Sequence, residues 1–212
     1  IKVITGIRRC GKSYLLNTIF YNHLIAENIP DNHIIKFAFD TAEDLLKINE
    51  DPIILDNRKE NRKVDPSKFI NWLIPQINEE GMYYLLLDEV QNLGAFESVL
   101  SGFLRKNNVD VYVTGSNSKF LSKDILTEFE GRGDEVHVLP LSFSDYYAFN
   151  QGDKGDAYDD YSVYGGLPAV ALMTTEEQKT NYLISQMKNV YLRDIVNRYS
   201  VQDENILGEV ID

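Results

Sequence analysis

Cysteine is nearly absent from this sequence: Cys10 stands alone among 212 residues. One thiol cannot close an internal disulfide, so a reducing cytoplasm is the expected setting. Long apolar runs are lacking as well. None approaches the roughly 18–20 residues that span a bilayer, which argues against a membrane-embedded chain. No signal-peptide pattern opens the sequence, because Ile1–Thr5 already reads as a core strand. Excess positive charge is missing too. The net charge is −12, and acidic residues outnumber basic ones in both 1–150 and 151–212. Phosphate neutralisation supplies most non-specific DNA affinity, so strong DNA binding by this stretch is disfavoured, whereas Mg-ATP needs only a local positive site. Internal repeats and low-complexity tracts are absent.

What is present is an ordinary globular composition, 43% hydrophobic and 25% charged. The length suits one large α/β domain, or a core with a small appendage. Apolar runs at 1–5, 33–40 (HIIKFAFD), 82–88, 109–114 and 135–139 predict strands. Between them, Leu15, Leu16, Ile19, Phe20 and Leu24 form a helical stripe over 12–26. Asp65 reads as an N-cap with Pro66 behind it, opening a helix whose face is Phe69, Ile70, Leu73 and Ile77. Helices are also expected at 95–106 and near 118–129, while 44–56 is ambiguous. Strands alternating with helices imply a parallel sheet with helices on both faces. A Gly/Asp-rich segment at 151–156 marks an expected boundary between a core, 1–150, and a helical subdomain, 151–212, whose best helical segment is 176–198. The chain starts inside a strand without Met and ends inside an apolar helical pattern (Ile206, Leu207, Val210, Ile211). Both ends are therefore expected to be cut from a longer protein.

Gly6-Ile7-Arg8-Arg9-Cys10-Gly11-Lys12-Ser13 fits G-x-x-x-x-G-K-S between a predicted strand and a predicted helix. Glycines let such a loop turn its amides toward phosphate, and the following helix adds its positive end. Lys12 is placed to reach the β- and γ-phosphates and Ser13 to ligate Mg²⁺, with Tyr14 the next residue of the nucleotide-binding segment. The Lys12 side chain is expected to be exposed in that loop. The strand Tyr83–Leu87 ends in Asp88 and Glu89, a Walker B pattern. Asp88 is expected to hold the metal and Glu89 to orient or deprotonate water. Thr114-Gly115-Ser116-Asn117 ends the next strand and in a parallel sheet faces the same crevice, with Ser116 and Asn117 equal candidates for the polar sensor. Arg132, between Gly131 and Gly133, is either an arginine contact to the γ-phosphate or part of a surface turn.

Other features have plain readings beside functional ones. Cys10 is a small filler or an oxidisable block on nucleotide. Arg58, Lys59, Arg62 and Lys63, with Glu60 among them, form a solvated loop or a nucleic-acid contact. Eight of the 13 tyrosines follow Phe143, suiting helical packing with wet hydroxyls ahead of base stacking.

In order along the chain stand GIRRCGKSYLL, YYLLLDEVQNL, VYVTGSNSKFLS, EGRG, LPLSFSDYY and YGGLP. Together they resemble the prokaryotic AAA+-type ATPases that carry a C-terminal domain of unknown function, over Ile1 to about Tyr199. The resemblance implies a P-loop sheet with Val109–Thr114 between the P-loop strand and the Asp-Glu strand. It matches Lys12 and Ser13 to the phosphate and magnesium positions, Asp88 and Glu89 to the acidic pair, Ser116 and Asn117 to the sensor segment, and Arg132 to the family's Gly-Arg. ATP and Mg²⁺ are the implied cofactors. A homo-oligomer is an open partner, and nucleic acid one only through regions outside this chain. An ATP hydrolase leads the functional readings; a slow nucleotide switch, or a DNA-associated regulator using the ATPase core as scaffold, are the alternatives. A P-loop kinase fits less well, since no arginine-rich lid lies between the Asp-Glu strand and the sensor strand. ATP is preferred to GTP because no N-K-x-D-type segment stands at the appropriate place.

Overall fold

The computed structural model describes residues 1–55, 63–77, 80–115, 129 and 133–187. Five strands, β1 (Lys2–Thr5), β2 (Ile34–Ala38), β3 (Tyr83–Asp88), β4 (Val109–Thr114) and β5 (Asp134–His137), form one sheet in the order β2-β3-β4-β1-β5. Every neighbouring pair is parallel. Non-consecutive neighbours require crossovers, and these carry helices to both faces. β4 lies between β1 and β3, as the family resemblance implies.

Residue alternation assigns the faces. Leu85, Leu87, Val111 and Val113 join Phe37, Phe39, Phe69, Leu73, Leu100 and Phe103 in one apolar cluster. That is the face covered by α4 (Pro66–Leu73) and α5 (Phe96–Phe103). Leu86, Ile4 and Ile34 point the other way, against Leu16 and Leu24 of the P-loop helix. Burial on both faces explains why β3 reads as a continuous apolar run.

The helix after the P-loop is α1 (Lys12–Tyr14), a π-helical stretch Leu15–Phe20, and α2 (Tyr21–Ala26), continuous in chain. The apolar period predicts the rod but not its π segment, a register change that apolar spacing alone does not encode. α3 (Ala42–Lys47) runs into the stretch 44–56 that the sequence leaves ambiguous, which also holds a 3₁₀ turn, Pro52–Leu55. Asp65 caps α4, accepting from Ser67 N–H at 2.8 Å with Pro66 in the first turn. The helix expected at 118–129 lies outside the described residues, except for buried Phe129.

Contacts divide the chain into Ile1–Val138 and Leu139–Asp212. The second unit therefore starts before the Gly/Asp-rich segment and includes α6 (Phe143–Asn150), opened by a Ser142/Asp145 capping box. Asp153 caps α7 (Lys154–Tyr164), Pro168 begins α8 (Pro168–Ala171), and a Thr175/Gln178 capping box opens α9 (Glu176–Gln186). Buried Lys179 of α9 pairs with Asp160 of α7 at 2.5 Å, and Tyr146 Oη donates to the same carboxylate. The tyrosines pack: Phe143 and Tyr146 each lie against Tyr161, whose hydroxyl donates to Leu141 O at 2.9 Å. Leu141 N–H in turn donates to Gly166 O at 2.7 Å, so closely that a Cβ on Gly166 would fall 2.0 Å from Leu141 O. The LPLSF and YGGLP strings are thus held against each other inside this unit.

Candidate functional site

β1 delivers the chain to Gly6 at the carboxyl edge of the sheet. Gly6 has φ +141°, and a Cβ there would stand 2.2 Å from Val138 O and 2.9 Å from Cys10 Sγ, so only glycine fits. Arg9 and Gly11 also take positive φ, turning the loop before Lys12 starts the helix. Arg9, Ser13 and Tyr14 are exposed, Ile7 is 42% exposed and Arg8 half-buried. Cys10 is buried against the loop, which fits the filler reading.

The expectation of an exposed Lys12 is corrected: the residue is 5% exposed. Its Nζ donates to Gly6 O at 3.0 Å and to Ile7 O at 2.9 Å. The loop curls its own carbonyls inward, and an ammonium with three donors is the group that satisfies them.

Parallel pairing sets Asp88 and Thr114, the last residues of β3 and β4, at the same edge as Thr5 and the loop. Asp88 is 5% exposed. Asn17 Nδ2, about one turn beyond Ser13, donates to Asp88 Oδ2 at 3.1 Å, bringing the P-loop helix to the acidic strand end. Thr114, fully buried, donates its hydroxyl to Asp88 Oδ1 and accepts Glu89 N–H at 3.1 Å. Glu89 itself is in the left-handed region, φ 51° and ψ 45°, where a non-glycine residue carries strain of about 1–3 kcal/mol. That kink turns the chain off the strand into the 3₁₀ turn Val90–Asn92. Gln91 Nε2 donates back to Glu89 Oε2.

β2 adds a third carboxylate to this edge. Ala38 pairs with Asp88, and Asp40 follows two residues later. Partial burial, then the negative charges of Glu89 and Asp88, push the Asp40 carboxyl from 3.8 up to about 6.

The structure therefore brings together the loop, Lys12, Asp88 and Glu89. Ser116, Asn117 and Arg132 lie outside the described residues, as do Arg58, Lys59 and Arg62 of the basic loop; Lys63 donates to Gln91 O. Sequence reasoning missed Asn17, Gln91 and Asp40. Asn17 is a polar gap in the apolar stripe over 12–26, and its partner Asp88 stands far from it in sequence. Asp40 stands two residues beyond the end of β2, and Gln91 three beyond the end of β3.

The AAA domain family model matches residues 1–147. An uncharacterized protein of Haemophilus influenzae is 30% identical over 216 residues, covering all of this chain and 50% of that protein. Another, from Methanocaldococcus jannaschii, is 27% identical over 219 residues, covering 96% of this chain and 43% of the relative. The chain thus spans about half the length of the curated relatives it matches. Among solved structures, Drosophila ORC bound to AT-rich DNA and Cdc6 aligns at TM-score 0.36 and 14% identity, covering 98% of this chain and 72% of that one. C. elegans PCH-2 aligns at TM-score 0.28 and 16% identity, covering 79% and 48%. Among the described residues no helix is long and apolar enough to cross a membrane. With the family match spanning well over half the sequence and a parallel α/β sheet of P-loop type, the chain belongs to the AAA-domain family of AAA+-type P-loop ATPases.

Proposed function

We propose that this chain binds Mg-ATP at Gly6–Tyr14 and hydrolyses it to ADP and phosphate. The observation that carries the reading is the hydrogen-bonded chain Asn17–Asp88–Thr114–Glu89, which ties the P-loop helix, the acidic pair and the central strand into one crevice. Lys12 exchanges its bonds to Gly6 O and Ile7 O for phosphate oxygens, and the loop amides and helix start receive the remaining charge.

The residues fit a divalent cation. Among the described residues, the hydrogen-bond donors to the buried Asp88 carboxylate are the neutral Asn17 and Thr114. Burial first, and then the negative charges of Glu89 and Asp88 at the same edge, raise the Asp40 carboxyl. A hard cation suits such oxygen donors, and Mg²⁺ is commonly held by one or two protein ligands together with substrate phosphates. Asp88 and Ser13 would hold it, and it would screen the phosphate charge. Glu89 takes the proton of the attacking water or orients that water. The relatives' greater length supports a further step, in which turnover drives or switches an attached C-terminal domain.

Phosphate release and calorimetry with Glu89→Gln test the reading. The amide keeps the shape and loses the charge, so ATP still binds and turnover drops by roughly 10²–10⁴. Undiminished turnover removes Glu89 from the reaction.

A further inference from the structure

Glu89 is fixed at two points. Its amide is held by Thr114 Oγ1, a rigid mark because Thr114 is fully buried on the central strand. Its carboxylate is held by Gln91, whose side chain is only 7% exposed. A buried amide that spends a donor on a neighbouring carboxylate is an uncommon use of glutamine, which normally faces water.

The turn carrying Gln91 is braced independently. Asn92 N–H donates to Glu89 O and Leu93 N–H to Val90 O, each at 3.0 Å. The segment at Val64 clamps the turn from outside: Val64 N–H donates to Asn92 O at 2.8 Å, and Gly94 N–H to Val64 O at 2.9 Å. Lys63 Nζ reaches Gln91 O. Gln91 therefore extends from a fixed backbone to a fixed backbone, and the hydrogen bond selects one orientation of a carboxylate with three rotatable bonds. Its neutrality matters. A lysine or arginine there would pair with the charge that a water-activating group needs, whereas an amide orients the carboxylate without cancelling it.

We propose that Gln91 is a positioning residue for hydrolysis: it holds the Glu89 carboxylate, by Oε2, in the orientation from which it meets the attacking water. This rests on reading Glu89 as the water-activating group. It goes beyond that reading by assigning catalytic geometry to a residue outside the Walker pair.

The competing account is that Gln91 only fills the turn. Gln91→Met keeps length and burial and deletes the donor; Gln91→Glu keeps shape and sets a carboxylate against a carboxylate. Positioning requires both variants to lose kcat, by about 10²-fold for a displaced reacting group, with nucleotide affinity unchanged within a factor of about two. The deciding measurement is a double-mutant cycle. In a Glu89→Gln background, Gln91→Met is expected to cost no further rate, because its route runs through Glu89. Wild-type kcat in Gln91→Met, or an equal loss in both backgrounds, overturns the assignment even if Glu89→Gln alone is inactive. Where Glu89→Gln turns over like wild type, the ATPase reading of Glu89 falls first and this inference falls with it. Urea unfolding of each variant separates lost rate from lost fold; if Gln91→Met is unfolded, Gln91→Asn, an amide one methylene short, is judged by the same cycle.

Discussion

Lys12 shows how much one residue's surroundings alter what its removal does. As an exposed lysine, its loss would remove phosphate contacts alone. Buried, it also satisfies two carbonyls of its own loop. Lys12→Ala is therefore expected to abolish tight ATP binding in calorimetry and to lower stability slightly. Hydrogen bonds from charged donors are worth about 1.5–3 kcal/mol, but the freed carbonyls of a partly exposed loop recover water, leaving about 1 kcal/mol. For a chain of this size that is a Tm drop of about 2–4 °C. Wild-type ATP affinity in this variant would end the P-loop assignment. The glycines and Lys12 are legible because their roles are local, set by a strand, a turn and a helix start. Asn17 is not, because its partner Asp88 lies 71 residues away and nothing in the helical stripe reports that distance.

At the scale of elements, the sheet edge gathers charge that no single strand displays. Asp40 lies two residues beyond β2, Asp88 ends β3 and Glu89 follows it, and only the pairing of the two strands puts Asp40 beside Asp88 and Glu89. The strands were readable from β-branched and apolar runs; the family resemblance placed β4 between β1 and β3 but not β2 beside β3, since apolar patterning does not fix strand order. The consequence is a pH dependence. A carboxyl whose folded value is raised from 3.8 to about 6 binds more protons folded than unfolded, so its contribution to stability is present at low pH and declines as pH climbs between those values. Asp40→Asn removes that decline. Relative to wild type the variant is expected to gain stability in melts at pH 7 and to lose the gain near pH 4. A gain of equal size at both pH values would assign the effect to packing. The strings LPLSF and YGGLP carry a different lesson. They are two of the six strings that carry the family resemblance, and the contacts found for them join Leu141 to Gly166 and Tyr161 within the second unit, so they mark a packing constraint there.

For the molecule as a whole, the sequence conveyed the fold class, because alternating elements and a P-loop leave few topologies. The limit of the second unit was less legible. A Gly/Asp-rich stretch looks like a linker, yet Asp153 within it caps a helix, and contacts place the division at Val138/Leu139. In the transition state the γ-phosphate gathers negative charge that a positive group must meet. Arg132, outside the described residues, is the residue the resemblance supplies. As a finger it acts mainly in the transition state, so Arg132→Ala is expected to leave ATP affinity nearly unchanged and to cut turnover by roughly 10³-fold or more. Mixing decides whether it serves its own chain or a neighbour. If a neighbour, a Lys12 variant with intact Arg132 rescues an Arg132 variant with intact Lys12, and specific activity rises with protein concentration. If its own chain, neither occurs. Arg132→Lys should fall short of full rate in both cases, since a point charge lacks the planar fork that spans two phosphate oxygens. Equal turnover for wild type and Arg132→Ala at saturating ATP returns the residue to the surface-turn reading.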